Sequence, residues 1–258
     1  MGMWLAGYLW DWRVLPLLIW VTFPFNLLIY GINDIFDQET DNINARKGGY
    51  EGAHIYPNEV KPIWWAVILT NVPFLIYFAV TLPWQATAWM LAYSLFFTFY
   101  SAPPLRFKAR AYLDSFSNTD YAFPLAFVPL ALGHEPVWLA VFALMAWSIA
   151  KHAYDAIQDI PQDSDTGIVT TAVHLGVRGT LRWSAFWWTI STILFAFVNI
   201  PVAIVNLVIA GYLVVSVWRN PTPEKAHAVY KYSITFPYVA GAVAGIQLTM
   251  AIFFGLYR

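Results

Sequence analysis

The sequence predicts an all-α integral membrane protein, a bundle of about eight transmembrane helices. Of its 258 residues, 59% are hydrophobic and only 11% are charged, whereas about a quarter of a soluble domain is charged. A bilayer core needs about 20 apolar residues per helix, and the chain has repeated stretches of nearly this length. No linker or low-complexity segment interrupts them, so residues 1–258 are interpreted as one transmembrane domain.

The predicted spans follow one another along the chain. They cover residues 14–33, 63–82, 85–101, 117–133, 136–155, 182–199, 201–218 and 235–256. Three of the connections are short and carry no Lys or Arg, and four are longer, at 34–62, 101–116, 156–181 and 219–234. These four, with Lys151 and Arg182 at their margins, hold 12 of the 14 basic residues. By the positive-inside rule the long connections are cytoplasmic, which predicts a multi-pass protein of the cell membrane.

Composition also excludes several classes of function. The chain has no cysteine, so it has neither a disulfide framework nor a zinc–thiolate site. Its net charge of −1 argues against a nucleic-acid partner. The histidines show no metal-ligand spacing, and we find no nucleotide-binding loop or nucleophile–base motif.

The first chemically informative feature is an acid cluster at the end of the first span. On a helix, Asp34, Asp37 and Asp41 lie on one face, and Asn33 is one turn before Asp37. Carboxylates are costly at a membrane boundary unless they have a partner, and oxygen ligands of this kind suit Mg²⁺. Gly31 allows a second helix to approach closely. The alternative is a solvated helix end with dispersed acids.

A second acid cluster closes the fifth span. Asp155, Asp159 and Asp163 lie on one face if the segment is helical. Pro161 is expected to end the helix near Asp159, so that Asp163 reaches back from a loop. Asp165 is interpreted as a turn residue rather than a ligand. Both clusters fall on the predicted cytoplasmic face.

Basic residues follow both clusters. The double proline Pro103-Pro104 favours an extended backbone, which would point alternate side chains the same way. Cations and Mg²⁺ around one pocket are what a diphosphate requires; the alternative is that the cations only set topology. The candidate diphosphate-binding residues are Arg46, Lys47, Arg106, Lys108, Arg110 and Lys151.

Together these segments resemble the UbiA superfamily of intramembrane prenyltransferases. Its first motif, Asn-Asp-x-x-Asp-x-x-x-Asp, is matched at residues 33–41, and its second at residues 155–163. Residues 100–110 are similar to the family's proline-containing loop, and residues 163–176 to its continuation of the second motif. Residues 30–41 and 44–52 are most similar to bacterial lycopene elongases of C50 carotenoid synthesis.

The resemblance implies a reaction and a set of roles. A central cavity would bind an allylic diphosphate, dimethylallyl diphosphate in the lycopene elongases, and transfer its prenyl group to a lipophilic acceptor drawn from membrane lipid, there lycopene. Mg²⁺ would be held by both motifs, and Asp34, Asp37 and Asp159 would be catalytic. The metal ligands are expected to be Asn33, Asp34, Asp37, Asp41, Asp155, Asp159 and Asp163.

Two alternatives and one departure accompany this interpretation. The acceptor could instead be an aromatic quinone precursor, a haem or a chlorophyll alcohol. From another class of protein, a divalent-cation transporter would use the acids as an ion pathway. Family members commonly carry nine transmembrane helices with the first motif closing the second, so we expect that this chain lacks the family's first helix.

Overall fold

A computed structural model describes residues 12–41 and 54–254 of the chain. The described residues are almost entirely helical and contain no β-strand, only an isolated bridge between Arg110 and Val169. The α-helices are α1 Val14–Thr22, α2 Pro24–Asp41, α3 Val60–Thr81, α4 Trp84–Ser101, α5 Leu113–Phe116, α6 Phe123–Ala131, α7 Trp138–Asp155, α8 Ile160–Asp165, α9 Thr171–Ala196, α10 Ile200–Trp218 and α11 Pro223–Phe253. Short 3₁₀ turns lie at Phe107–Ala109, Asp120–Ala122 and Ala156–Asp159.

The all-α prediction is confirmed, and each predicted span contains a helix. Three bounds differ: the fourth span is helical only from Phe123, the sixth helix begins at Thr171, and the eighth begins at Pro223. The predicted connections 156–181 and 219–234 are therefore largely helical. Hydropathy marks where a chain enters lipid, but a helix continues beyond that point until a cap ends it; Thr170 and Thr222 cap α9 and α11 through their side chains.

Four helical stretches of the described residues are both long enough and apolar enough to cross a membrane. They are Leu15–Gln38, Val60–Thr81, Ile200–Trp218 and Pro223–Phe253. The other predicted spans are shorter or more polar; α6 has nine residues, and α7 carries Lys151 and Asp155 near its end. Such helices need protein neighbours rather than lipid around their polar side chains.

The chain divides into two compact units. Of the described residues, the N-terminal unit contains 12–41, 54–108 and 130–134, and the C-terminal unit contains 109–129 and 135–254. The interpretation as one domain stays a prediction.

In the N-terminal unit, a buried polar contact holds α3 against the junction of α1 and α2. Trp20 is fully buried, and its indole N–H donates to Oδ1 of Asn71 at 3.1 Å. The Asn71 amide in turn donates to the backbone carbonyl of Pro24 at 2.8 Å. Phe25 and Phe78 pack on the Trp20 ring, with centroids 4.6 and 5.7 Å away. Because lipid offers no competing hydrogen bonds, this contact fixes which helices meet.

Gly31 allows α2 and α3 to pack closely, as predicted. A Cβ atom at this position would lie 3.2 Å from side-chain carbons of both Ile63 and Val67. That separation is tighter than ordinary van der Waals contact, so the absent side chain permits the approach. This close contact between α2 and α3 lies two residues before Asn33, where the acid cluster begins.

The C-terminal unit is built on α7, α9, α10 and α11. Its core contains the buried aromatic side chains Trp147, Tyr154, Trp188 and Phe236, and the Tyr154 hydroxyl donates to the backbone carbonyl of Leu213 at 3.2 Å. Helix α9 is interrupted at Gly176, whose φ of 64° and ψ of 174° are not helical. This kink separates the first turn of α9 from the long helix behind it.

Candidate functional site

The first aspartate motif lies at the end of α2. Asp37 is only 6% exposed, and its Oδ2 accepts a hydrogen bond from the Asn33 amide at 2.6 Å. The Asn33 Oδ1 in turn accepts from the Ser101 hydroxyl at 3.2 Å. Asp34 is half-buried beside them. The helical spacing predicted from the sequence is therefore present, and Ser101 is a further residue of the site that charge patterning did not indicate.

Two cations of the proline-containing loop meet this carboxylate. The Lys108 ammonium is paired with Asp37, and an Arg106 guanidinium nitrogen lies 4.0 Å from the same Asp37 oxygen. Lys108 is buried, whereas the Arg106 side chain is 40% exposed. A buried carboxylate is stable only when it is paired and hydrogen-bonded, and Asp37 has contacts of both kinds.

The predicted extended backbone of this loop is wrong. Arg106 has a φ of 39°, its N–H donates to the Ala102 carbonyl at 3.0 Å, and residues 107–109 form a 3₁₀ turn. Proline restricts its own φ and the residue before it, but it does not control the residues that follow. Arg106 and Lys108 still face one carboxylate, whereas Arg110 is exposed and belongs to the C-terminal unit.

Some predicted residues around the first aspartate motif have side chains outside the described part of the structure. Asp41 is the last residue of α2, but its side chain is not described, and Arg46 and Lys47 lie outside the described residues. Their roles stay predictions.

The second acid cluster is not one continuous helix, in agreement with the interruption that Pro161 predicts near Asp159. Helix α7 ends at Asp155, a 3₁₀ turn carries the chain to Asp159, and α8 then begins with Pro161 in its first turn. Proline cannot donate to the carbonyl four residues before it, but it is well suited to a first turn. Pro161 therefore starts a short helix that carries Asp163, and the predicted loop at that residue is wrong.

Each acid of the second cluster has a distinct environment. Asp155 is paired with Lys151 and accepts a hydrogen bond from the Ser233 hydroxyl at 2.5 Å. Asp159 is half-buried at the end of the 3₁₀ turn. Asp163 accepts from the Thr170 hydroxyl at 3.3 Å. Asp165 is exposed and ends α8 just before Gly167, whose φ is 70°, as the turn interpretation predicts.

The first turns of α11 help to hold this cluster. Besides Ser233, His227 contributes a hydrogen bond between its Nδ1 and Oε1 of Gln158, at 2.9 Å. Both residues fall in a segment that the sequence analysis assigned to a connection. No periodicity or charge signal marks them, because their role depends on where α11 packs.

The donor set of both clusters fits Mg²⁺. It consists of carboxylate and amide oxygens, with no sulfur or imidazole ligand. Within residues 12–41 and 54–254, no three acidic or histidine side chains converge closely enough to hold a metal ion by themselves. Mg²⁺ is commonly bound by one or two carboxylates, with phosphate oxygens and water completing its coordination. The residues therefore suit Mg²⁺ that is bound together with a phosphate-bearing ligand.

An apolar cavity lies in the C-terminal unit beside Lys151. It has a volume of about 350 Å³ and is lined mainly by aliphatic and aromatic side chains, among them Leu144, Trp147, Phe195 and Ala244. A second pocket of about 420 Å³ is lined by Lys151 and Tyr230. The two share Tyr121 and Pro237 in their walls, so apolar space adjoins the ammonium that pairs with Asp155.

Comparison with known proteins identifies the family. The model of the UbiA prenyltransferase family matches residues 1–238. The chain belongs to the UbiA prenyltransferase family. Membership confirms the resemblance found in the two aspartate motifs and makes this chain a prenyl-transferring enzyme and a multi-pass membrane protein, so the alternative of a cation transporter has no support.

One relative and two solved structures are similar to this chain along most of its length. A lycopene elongase/hydratase of Corynebacterium glutamicum is 30% identical over 246 residues, covering 92% of this chain and 86% of the relative. The apo structure of a UbiA homologue from Aeropyrum pernix K1 matches with a TM-score of 0.71 at 16% identity, covering 96% and 94% of the two chains. A UbiA homologue from Archaeoglobus fulgidus bound to DMAPP and Mg²⁺ matches with a TM-score of 0.63 at 20% identity, covering 91% and 88%.

Proposed function

We propose that this UbiA enzyme transfers a dimethylallyl group from dimethylallyl diphosphate to lycopene. The observation that carries the donor chemistry is the buried Asp37 carboxylate, held by Asn33 and paired with Lys108. The proposed donor and acceptor are supported by the relatives: a UbiA homologue binds DMAPP and Mg²⁺, and a relative matching most of the chain is a lycopene elongase/hydratase.

On the donor side, the charged residues act on the leaving group. Asn33, Asp34 and Asp37, with Asp41 completing the motif, would hold Mg²⁺, which would supply positive charge to the diphosphate leaving group. Asn33 fixes the Asp37 carboxylate through its amide. Lys108 and Arg106 lie beside that carboxylate, where they add positive charge for the departing diphosphate. Arg46 and Lys47 remain candidates for the same role. Charges that act where charge develops lower the barrier.

For the second motif we propose the same kind of chemistry, the binding of Mg²⁺ with a diphosphate. Asp155, Asp159 and Asp163 would bind Mg²⁺, with Lys151 and Arg110 contributing positive charge. Ser233 and Lys151 orient the Asp155 carboxylate. That both motifs face the cytoplasm remains a prediction from the distribution of basic residues.

The chemistry after ionisation takes place in apolar surroundings. The electron pair of the C–O bond leaves with the diphosphate, a terminal double bond of the acceptor attacks the allylic cation, and the resulting cation loses a proton. We propose that the cavity lined by Leu144, Trp147 and Ala244 receives an isoprenoid chain. Its aromatic wall excludes water and offers ring faces to positive charge.

Product analysis in a lycopene-producing host tests the proposal. Expression of the wild-type chain should yield carotenoids larger than lycopene by one or two five-carbon units, detected by mass spectrometry. The matched control is Asp37→Asn, which should yield lycopene alone. The proposed acceptor would be contradicted if lycopene stayed unchanged in the host that expresses the wild-type chain, while membranes from that host prenylated an aromatic acid, a haem or a chlorophyll alcohol. That result would leave the proposed donor chemistry intact.

A further inference from the structure

A carboxylate outside both aspartate motifs is fully buried in the C-terminal unit. Asp114 lies on the short helix α5 and has no exposed surface. Its Oδ2 accepts from the Thr171 backbone N–H at 2.9 Å, and its Oδ1 accepts from the Thr171 hydroxyl. Thr171 is also fully buried. A buried carboxylate is costly unless its oxygens are hydrogen-bonded, so the pairing of Asp114 with Thr171 is a specific feature of this packing.

The residue before Thr171 contacts the second aspartate motif. Thr170 donates to Oδ2 of Asp163 at 3.3 Å, and its oxygen accepts from the Val173 N–H at 3.2 Å, capping α9. The Ile168 N–H donates to the Asp163 carbonyl at 2.8 Å. Residues 168–171 therefore connect Asp163 on one side with Asp114 on the other.

The segment around Asp114 is itself held in an unusual backbone conformation. Tyr112 has a φ of 70°, a conformation that side-chain-bearing residues keep only when their surroundings enforce it. Its N–H donates to the Thr171 hydroxyl at 2.8 Å, and its ring contacts His174 with centroids 5.5 Å apart. The isolated β-bridge between Arg110 and Val169 attaches the same segment two residues before Tyr112.

We propose that Asp114 is a positioning residue for the second aspartate motif, acting through Thr171 and Thr170 on Asp163. The inference rests on the proposed Mg²⁺–diphosphate site. Asp114 fixes the backbone at Thr171, and this placement lets the Thr170 hydroxyl orient the Asp163 carboxylate. The same attachment fixes the backbone of Arg110, a candidate diphosphate ligand. Mutation of residues that orient a metal ligand through hydrogen bonds typically changes metal affinity about 10- to 100-fold.

Metal binding by hydroxyl-deletion variants tests the inference without relying on turnover. Mn²⁺ is titrated into the purified full-length protein with inorganic pyrophosphate, and free Mn²⁺ is followed by electron paramagnetic resonance. Thr171→Val should weaken Mn²⁺ binding about 10- to 100-fold, whereas Thr171→Ser, which keeps the hydroxyl, should bind almost as the wild type does. Thr170→Val and Thr170→Ser test the second link in the same way, should Thr171→Val fail to fold.

Thr192→Val is the matched control for loss of stability alone. Thr192 lies on the same helix and accepts a hydrogen bond from the Asn206 amide at 2.7 Å, outside the contacts of the motif. Its loss should lower the melting temperature and leave Mn²⁺ affinity unchanged. Equal Mn²⁺ affinities in Thr171→Val, Thr170→Val and Thr192→Val would overturn the inference while the proposed function stands. A wild-type protein that binds no Mn²⁺ with pyrophosphate would overturn both.

Discussion

At the scale of single residues, the pairing of Asp37 with Lys108 determines how the first motif is held. Both side chains are buried, and an isolated buried charge is far costlier than a paired one. The burial of Asp37 therefore explains why Lys108, from the proline-containing loop, contacts this predicted metal ligand. When Mg²⁺ and diphosphate bind, we expect the Lys108 ammonium to move from the carboxylate towards the phosphate oxygens.

Asp37→Asn should abolish prenyl transfer, because a neutral amide removes the negative charge with which the carboxylate binds a divalent cation. It also leaves the Lys108 ammonium buried without this carboxylate, which costs about 3–5 kcal/mol of stability. The double variant Asp37→Asn with Lys108→Met should regain most of that stability and remain inactive. Transfer is measured with labelled dimethylallyl diphosphate, and stability by thermal unfolding in detergent.

Asp165→Asn is the matched control, since Asp165 is exposed at the end of α8. It should keep both activity and stability. Substantial transfer by Asp37→Asn, with Asp165→Asn unaffected, would show that the first motif does not bind the metal in this way.

At the scale of helices, interruptions rather than continuous spans position the second motif. The acids are distributed over the end of α7, a 3₁₀ turn and α8, which begins with Pro161 in its first turn. Gly176 separates the capped first turn of α9 from its long apolar part. The backbone angles of Gly176 lie in a region that is essentially restricted to glycine. The kink therefore depends on that one residue.

Gly176→Ala should destabilise the protein by about 1–3 kcal/mol, because alanine is strained at these backbone angles. Gly211→Ala is the control: Gly211 lies within α10, a Cβ atom there would meet nothing within 4 Å, and alanine should stabilise the helix by about 0.5–1 kcal/mol. Thermal unfolding of both variants measures the difference. If Gly176→Ala were as stable as Gly211→Ala, the kink would not depend on glycine at position 176.

At the scale of the whole molecule, the chain combines polar helix ends with apolar helix interiors. In the C-terminal unit, the aspartates lie at the end of α7 and on the adjoining short elements, whereas the cavity is lined mainly by residues within α6, α7, α9, α10 and α11. This separation suits a substrate with a charged head and an apolar body, because each part meets surroundings of its own polarity.

Ala244→Trp should reduce transfer at least about tenfold, since the indole fills the cavity that we propose receives an isoprenoid. Mn²⁺ binding with pyrophosphate should persist, because Ala244 lines only the apolar cavity. Ile246→Trp, on the same helix but 59% exposed, is the control and should remain active. Undiminished transfer by Ala244→Trp would exclude this cavity as an isoprenoid site.

Much of the fold was predictable from the sequence, for reasons that are local. Hydropathy over about 20 residues locates helices in lipid, which is why each predicted span contains one. The spacing of Asn33, Asp34 and Asp37 predicted their shared helix correctly. The break that Pro161 predicts near Asp159 is also present, but Asp163 lies on the short helix α8 and not on the predicted loop, because a proline that ends one helix can begin another.

The sequence by itself determined the fold class, the family and the oxygen-only character of the site, since each depends on residue type and local spacing. Only the tertiary structure decided which partners hold the acids: Lys108 for Asp37, Ser233 for Asp155, and Thr170 for Asp163. Ser233 is 78 positions from Asp155, and no local pattern links them. Hydrogen bonds and ion pairs form between atoms that packing brings together, so their partners emerge only when the helices are in place.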